Sequence, residues 1–372
     1  MADKNGSGGQ RLLSLDALRG FDMLFIMGFS ILLTKICIAL GFGKDCFLCE
    51  QMRHVEWHGL AFMDTVFPLF LFVAGASFPF SLSKQRSSGS GDGAIAVRCV
   101  KRGLLLFALG MLYGNFLKLD FAHFRIWSVL GRIGLAWMFA ALIFMKCGAR
   151  ARFAVVSSIL AGTALFSRFV LAPDAPPGTD PFSQAGNFGC WLDRTITAGH
   201  TLEKLYDPEG FAGLVPAVAT AMLGMFAGEI LSVSRWSGRR KTGLLLCLSA
   251  VCAVLAAVFA QFCPLNKALW SPSFVLACGT YSFFALAVFY LIVDVLGFRK
   301  WAFPLQVIGM NSITIYLAQR ILGFNKATDF FFGGLASKFP EGWNMVVWQA
   351  GYVIVCWTFL YFLYRKRIFL KV

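Results

Sequence analysis

Leu60-Ala-Phe-Met-Asp64-Thr-Val-Phe-Pro68-Leu-Phe-Leu-Phe-Val-Ala-Gly75-Ala-Ser-Phe-Pro79-Phe-Ser-Leu-Ser83 holds one ionisable side chain, Asp64, and ends against Lys84 and Arg86. A helix needs ~20 apolar residues to cross the hydrocarbon core of a bilayer, and this run supplies them. Outward from it, runs of the same kind lie at 20–41, 103–119, 126–146, 153–172, 210–233, 242–263, 273–297, 303–323 and 343–364. The pattern predicts an all-α fold: a polytopic membrane helix bundle of about ten transmembrane helices, with 1–372 as one transmembrane domain. Composition agrees, since 58% of the 372 residues are hydrophobic and only 14% charged, where a soluble domain carries about a quarter charged residues.

The net charge of +15 does not signal nucleic acid, which calls for basic residues gathered on one face among aromatics. Here they come in bursts between apolar runs. Lys84, Arg86, Arg98, Lys101 and Arg102 follow the second span, and Lys146, Arg150 and Arg152 the fourth. Arg235, Arg239, Arg240 and Lys241 follow the sixth, Arg299 and Lys300 the eighth, and Arg365, Lys366, Arg367 and Lys371 the tenth. Under the positive-inside rule this places both termini in the cytoplasm. The segment 84–102 then reads as a cytoplasmic basic linker, flexible over its Ser/Gly-rich part 87–93. The segment 173–208 is a long external loop of a length that usually carries function. A polar start through Gln10 before a full-length apolar run reads as an anchored first helix, not a cleaved signal peptide.

Most of the cysteines fall in or beside apolar spans, where Cys behaves as a small hydrophobe. Cys46 and Cys49 form a C-x-x-C in the first external loop, where an oxidising compartment permits a disulfide.

Ionisable groups inside spans are costly and tend to face cavities or partners. On the predicted topology His54, His58, Asp64, Arg132, Gln319 and Arg320 lie toward the outside, with Asn311 nearer the midplane. Asp16, Arg19, Asp22, Glu229 and Asp294 lie toward the cytoplasm. If the second helix starts early, His54 and His58 share one face. An imidazole there can take a proton from an amine while Asp64 sets its tautomer; the two rings can equally sit as interfacial groups beside Trp57. His54, Glu56, His58 and Asp64 include metal ligands, but zinc needs three or four placed donors and the metalloprotease Glu is missing after His54, so no metal is expected. Asp207 and Glu209, before the sixth span, can cap that helix or bind the ammonium of an amino sugar. Asp16 and Arg19 can pair at the helix end or, beside Gly20, approach an anionic cofactor. Asn311 and Ser312 interrupt the ninth span as helix glue or as ligands.

Arg11-Leu-Leu-Ser-Leu-Asp16-Ala-Leu-Arg19-Gly20, His54-Val-Glu-Trp57-His-Gly59-Leu-Ala-Phe-Met-Asp64-Thr-Val-Phe67-Pro68, Asp207-Pro-Glu-Gly210, Leu269-Trp-Ser271-Pro-Ser273 and Gly309-Met-Asn311-Ser312-Ile resemble, in order, the heparan-alpha-glucosaminide N-acetyltransferase family. The resemblance implies a membrane acyltransferase that takes acetyl from cytoplasmic acetyl-CoA, a co-substrate, and places it on the amine of an external glucosamine-type sugar or glycan. His54 matches the family's active-site histidine, as general base or acetyl-accepting nucleophile, with Asp64 beside it. His58, Asp207, Glu209, Asn311, Ser312 and Ser30 are then substrate-side residues. Asp16, Arg19, Arg98, Lys101, Arg102, Arg239 and Arg240 are the candidates for CoA, with Arg and Lys suited to its phosphates. Ser30 stands where the animal enzyme has an Asn. The animal enzyme's large N-terminal luminal domain and extra helix are not matched, so a heparan chain need not be the acceptor. Bacterial NagX-like relatives suggest an inner-membrane location and, as the alternative, an amino-sugar secondary transporter. Against transport, the broken second span has no counterpart in the seventh, which weakens a five-plus-five repeat. A non-catalytic membrane scaffold is the third reading. Aromatic and small-residue surfaces fit lipid or a homodimer.

Overall fold

The computed structural model describes residues 12–114 and 124–370. Arg11, Lys371, the polar start through Gln10 and the 115–119 end of the third predicted span lie outside them. Helices follow in the order α1 (Leu13–Ala39), α2 (Phe47–Gln51), α3 (Phe62–Ser87), α4 (Asp92–Tyr113), α5 (Val129–Lys146), α6 (Ala149–Phe169), α7 (Phe188–Ile196), α8 (Phe211–Ser232), α9 (Gly238–Ala260), α10 (Pro272–Val295), α11 (Phe303–Met310), α12 (Ser312–Ile321), α13 (Phe324–Thr328) and α14 (Trp343–Arg365). Among the described residues there is no strand. Eight helices among the described residues, α1, α3, α5, α6, α8, α9, α10 and α14, are long and apolar enough to cross a membrane. The end of the bundle that carries residues 40–61 is called the upper end below.

Two expectations change. The segment 84–102 is almost wholly helical, because α3 runs through Ser87 and α4 starts at Asp92 with Gly91 before it. Ile95, Cys99, Gly103, Leu106 and Gly110 recur on one face of α4 and are buried, α4 packing chiefly against α5. That periodicity overrides the Ser/Gly composition, leaving only 88–91 between the helices. The ninth span is two helices, broken at Asn311.

α3 and α8 form the buried centre, whereas α6 and α9 bury only 11% and 17% of their apolar windows and present the rest outward. Between apolar helices in lipid, close packing rather than water exclusion holds the pair, so small residues mark the crossings. A Cβ on Gly75 of α3 would stand 2.2 Å from the Ala221 carbonyl oxygen of α8, and one on Gly224 of α8 2.0 Å from that of Phe72. Gly75→Ala is expected to push these backbones apart and cost about 1–3 kcal/mol, read as a fall in thermal unfolding temperature in detergent. A second glycine bends α1: Gly28 has φ 117°, a conformation open to glycine. Its carbonyl accepts from Gln349 Nε2 at 3.1 Å, and the following Ser30 hydroxyl donates back to Phe25 O.

Candidate active site

The helix α3 begins at Phe62, so His54 and His58 lie on irregular backbone and do not share a helical face. Gly59, at φ 128°, turns this segment, and its N–H donates to Leu265 O at 2.8 Å. Asp64, fully buried in the first turn of α3, holds the segment in place: Oδ2 accepts from Ala61 N at 3.1 Å and from Val55 N at 3.3 Å. Its Oδ1 lies 2.8 Å from His54 Nδ1. A carboxylate only accepts, so Nδ1 carries the proton and the lone pair of His54 is on Nε2, which has no hydrogen-bond partner among the described residues.

A third group joins them that the sequence did not single out. Lys267 Nζ is 3.2 Å from Asp64 Oδ1 and 3.0 Å from His54 Nδ1. With Nδ1 already donating, the ammonium is bonded to the carboxylate. The turn that presents Lys267 is closed by Trp270 N donating to Lys267 O at 3.1 Å and by Asn266 Oδ1 accepting from Leu269 N. Trp270 has φ 52°, unusual for a bulky residue. It is locked there by Phe67, by the Arg132 guanidinium 5.1 Å from its ring centre, and by its Nε1–H donating to Thr220 Oγ1.

His54 and Lys267 line a cavity of about 500 Å³ that runs down between α1, α3, α5 and α12. Ser30, Glu209, Ser312 and Trp57 share its wall, whereas His58, Asp64, Asp207 and Asn311 do not line it. His58 accepts from Asn266 Nδ2 at 3.3 Å, and burial pulls its pKa below the ordinary histidine value against a smaller upward pull from Asp180. Asn311 is buried, its amide donating to Ile368 O. On α1, α3 and α5 the deepest lining residues are Met23, Phe70 and Ile133.

Asp207 and Glu209 are bound together by one cation. Arg125 grips Asp207 through Nε at 2.8 Å and Nη2 at 2.6 Å and also bonds Glu209. Burial works against its charge, yet the two carboxylates raise the Arg125 pKa above its ordinary value. Asp207 is therefore neither the helix cap nor a free acceptor site. The cap of α8 is Gly210, and the Phe211 N–H is held at 2.7 Å by Asp193 of α7. Arg132, fully buried, donates to Gly210 O at 2.9 Å on the other side. Burial raises the Asp193 carboxyl to about 6. Because this folded value lies above the unfolded one, the stabilisation is complete below about pH 4 and is lost as pH rises through about 6. The thermal unfolding temperature in detergent is expected to fall over that interval, and Asp193→Asn to remove the fall.

At the lower end, Arg19 lies 3.5 Å from Asp16 and donates to Ser77 Oγ at 3.1 Å. Arg102 stacks 4.5 Å from the Trp137 ring centre, close enough to Arg19 for the two charges to interact. Met23 and Ile133 lie one turn above Arg19 and Trp137, ~6 Å along their helices. Arg98, Lys101, Arg239 and Arg240 are exposed, with Arg240 over Trp236 at 4.9 Å. The structure thus joins Arg19 and Arg102 beneath the cavity and leaves the other four at the surface.

Over 431 aligned residues the chain is 27% identical to the human heparan-alpha-glucosaminide N-acetyltransferase, covering 97% of this chain and 60% of the relative. The chain is similar throughout to heparan-alpha-glucosaminide N-acetyltransferases. The mouse heparan-alpha-glucosaminide N-acetyltransferase is 25% identical over 428 residues, 98% of the chain and 61% of the relative. The chain spans about three fifths of the length of these relatives. No family model matches it.

Proposed function

We propose that this chain is a transmembrane acyltransferase that moves acetyl from acetyl-CoA to the amine of a glucosamine-type sugar, with His54 at the reacting centre. The observation that carries the reading is the His54–Asp64–Lys267 cluster at the wall of a cavity that descends toward Arg19 and Arg102. From Asp64 to Ser77 is ~20 Å along α3 at 1.5 Å per residue, a distance for the extended arm of a coenzyme thioester. With its phosphates near the lower cations, the arm brings the thioester up the cavity while the acceptor enters from above.

His54 Nε2 takes the proton of the acceptor amine as nitrogen attacks the thioester carbonyl. The N–C bond forms, the C–S bond breaks, and the leaving thiolate takes the proton held on Nε2, which restores the neutral imidazole. If His54 instead acts as nucleophile, the same Nε2 accepts the acetyl first and passes it to the amine. Asp64 holds the tautomer in either case. The Lys267 ammonium stabilises the oxyanion of the tetrahedral intermediate. Lys267→Met is expected to lower kcat by about 100-fold, the size of one lost oxyanion donor, with a smaller change in KM for acetyl-CoA.

The test is purified protein in detergent with radiolabelled acetyl-CoA and glucosamine or short amino-sugar oligomers, followed for N-acetylated product. Product supports the reading, and its absence from folded protein overturns it. Labelling of the protein by acetyl-CoA alone separates the nucleophile from the base. The break at Asn311 favours the second reading, secondary transport, because discontinuous helices beside a cavity are common in transporters. Uptake of amino sugar into liposomes without acetylation would decide for it.

A further inference from the structure

Three thiols meet at the upper end of α1, apart from the His54 cluster. Cys37 lies in the last turns of α1, Cys46 directly precedes α2, and Cys49 lies within it. All three are free, and their sulfurs lie within 4.8 Å of one another. Cys49 and Cys37 are buried, whereas Cys46 is half-buried and opens the group to solvent. Cys49 Sγ faces the Gly43 carbonyl at 3.6 Å and the Thr34 carbonyl at 4.0 Å.

A disulfide uses two sulfurs and would leave the third beside it without a role. Three thiolates on one tetrahedral ion, at Zn–S ~2.3 Å, stand ~3.8 Å apart. The observed triangle needs to contract by at most ~1 Å to match that geometry. Among the described residues no imidazole or carboxylate belongs to the group, and an all-sulfur donor set selects soft or borderline ions such as zinc over hard ones.

We propose that Cys37, Cys46 and Cys49 bind one zinc ion through three thiolates, with water in the fourth position on the open side beside Cys46. Binding displaces the thiol protons to solvent. The ion ties the end of α1 to α2. From α2, Gln51 Oε1 accepts from Phe62 N at 2.9 Å in the first turn of α3, and His54 lies between these two anchor points. The zinc therefore staples the segment from which His54 projects.

The test uses the full chain in detergent, gently reduced, with Zn2+ or Co2+ as the only added metal. One equivalent is expected to bind per chain, Co2+ giving the sulfur-to-metal charge-transfer absorption of thiolate ligation. The Cys37→Ser, Cys46→Ser, Cys49→Ser triple variant is expected to lose both signals, while Cys247→Ser keeps them. If the triple variant fails to fold, alkylation of the wild type with and without Zn2+ reads the same site: zinc is expected to protect Cys46, and its failure to do so would overturn the proposal. So would the absence of metal uptake by folded, reduced wild type, or equal uptake by a folded triple variant.

Discussion

On the proposed function, His54→Ala is expected to lower N-acetyl transfer by about 10²–10⁴-fold, the range of a lost general base, and to leave the fold in place. The asymmetry follows from burial: the His54 side chain is 56% exposed while Asp64 is fully buried. Removing the imidazole takes one bond from Asp64, which keeps Lys267 and the Ala61 and Val55 amides. The buried carboxylate therefore stays compensated, and the thermal unfolding temperature changes little. Turnover with acetyl-CoA and glucosamine, set beside unfolding in the same detergent, checks both halves. An active variant would remove His54 from the chemistry, and an unfolded one would show that Asp64 depends on its ring.

Arg125→Ala produces the largest expected loss of stability, about 3–5 kcal/mol, the cost of breaking a buried ion pair by removing one partner. Asp207 is 1% exposed and Glu209 8%, and Arg125 holds both. Without the guanidinium two carboxylates remain side by side, Asp207 enclosed and Glu209 at the cavity wall, next to Asp193. The triple replacement Arg125→Ala, Asp207→Asn, Glu209→Gln is expected to recover most of the loss, because the penalty belongs to unpaired charge and not to a missing contact. Thermal unfolding of the single and triple variants decides the matter, and equal losses in both would refute the charge argument.

The spans were legible because a spanning helix advertises itself in one contiguous run, as 60–83 does. His54 and Asp64 were legible for a related reason: ten residues apart, they form one visible cluster. Lys267 is 213 residues from His54 and arrives only through the turn fixed by Trp270, so no local pattern marks it. A sequence shows the carboxylates of Asp207 and Glu209 but not the counter-ion, which comes from Arg125 more than eighty residues earlier. The same limit made Asp207 look like a helix cap, when the acceptor for the α8 N-terminus is Asp193 on another helix. The Ser/Gly-rich composition of 87–93 likewise hid the start of α4 at Asp92, where the helical repeat of Ile95, Cys99 and Leu106 was the stronger signal.

The cavity floor has an electrical consequence. Only about one helical turn, ~6 Å, separates Met23 and Ile133 from the arginine level below, against ~30 Å for an ordinary hydrocarbon core. With water in the cavity above, a transmembrane voltage falls across the packed residues below Met23 and Ile133 and not across the whole core, so the local field is steeper than in lipid. A unit charge crossing them exchanges about 2.3 kcal/mol with each 100 mV, whereas a neutral acetyl group exchanges none. Turnover by acyl transfer should therefore be indifferent to energisation of the membrane, while passage of an ammonium sugar should follow it, and liposomes held at a set potential distinguish the two.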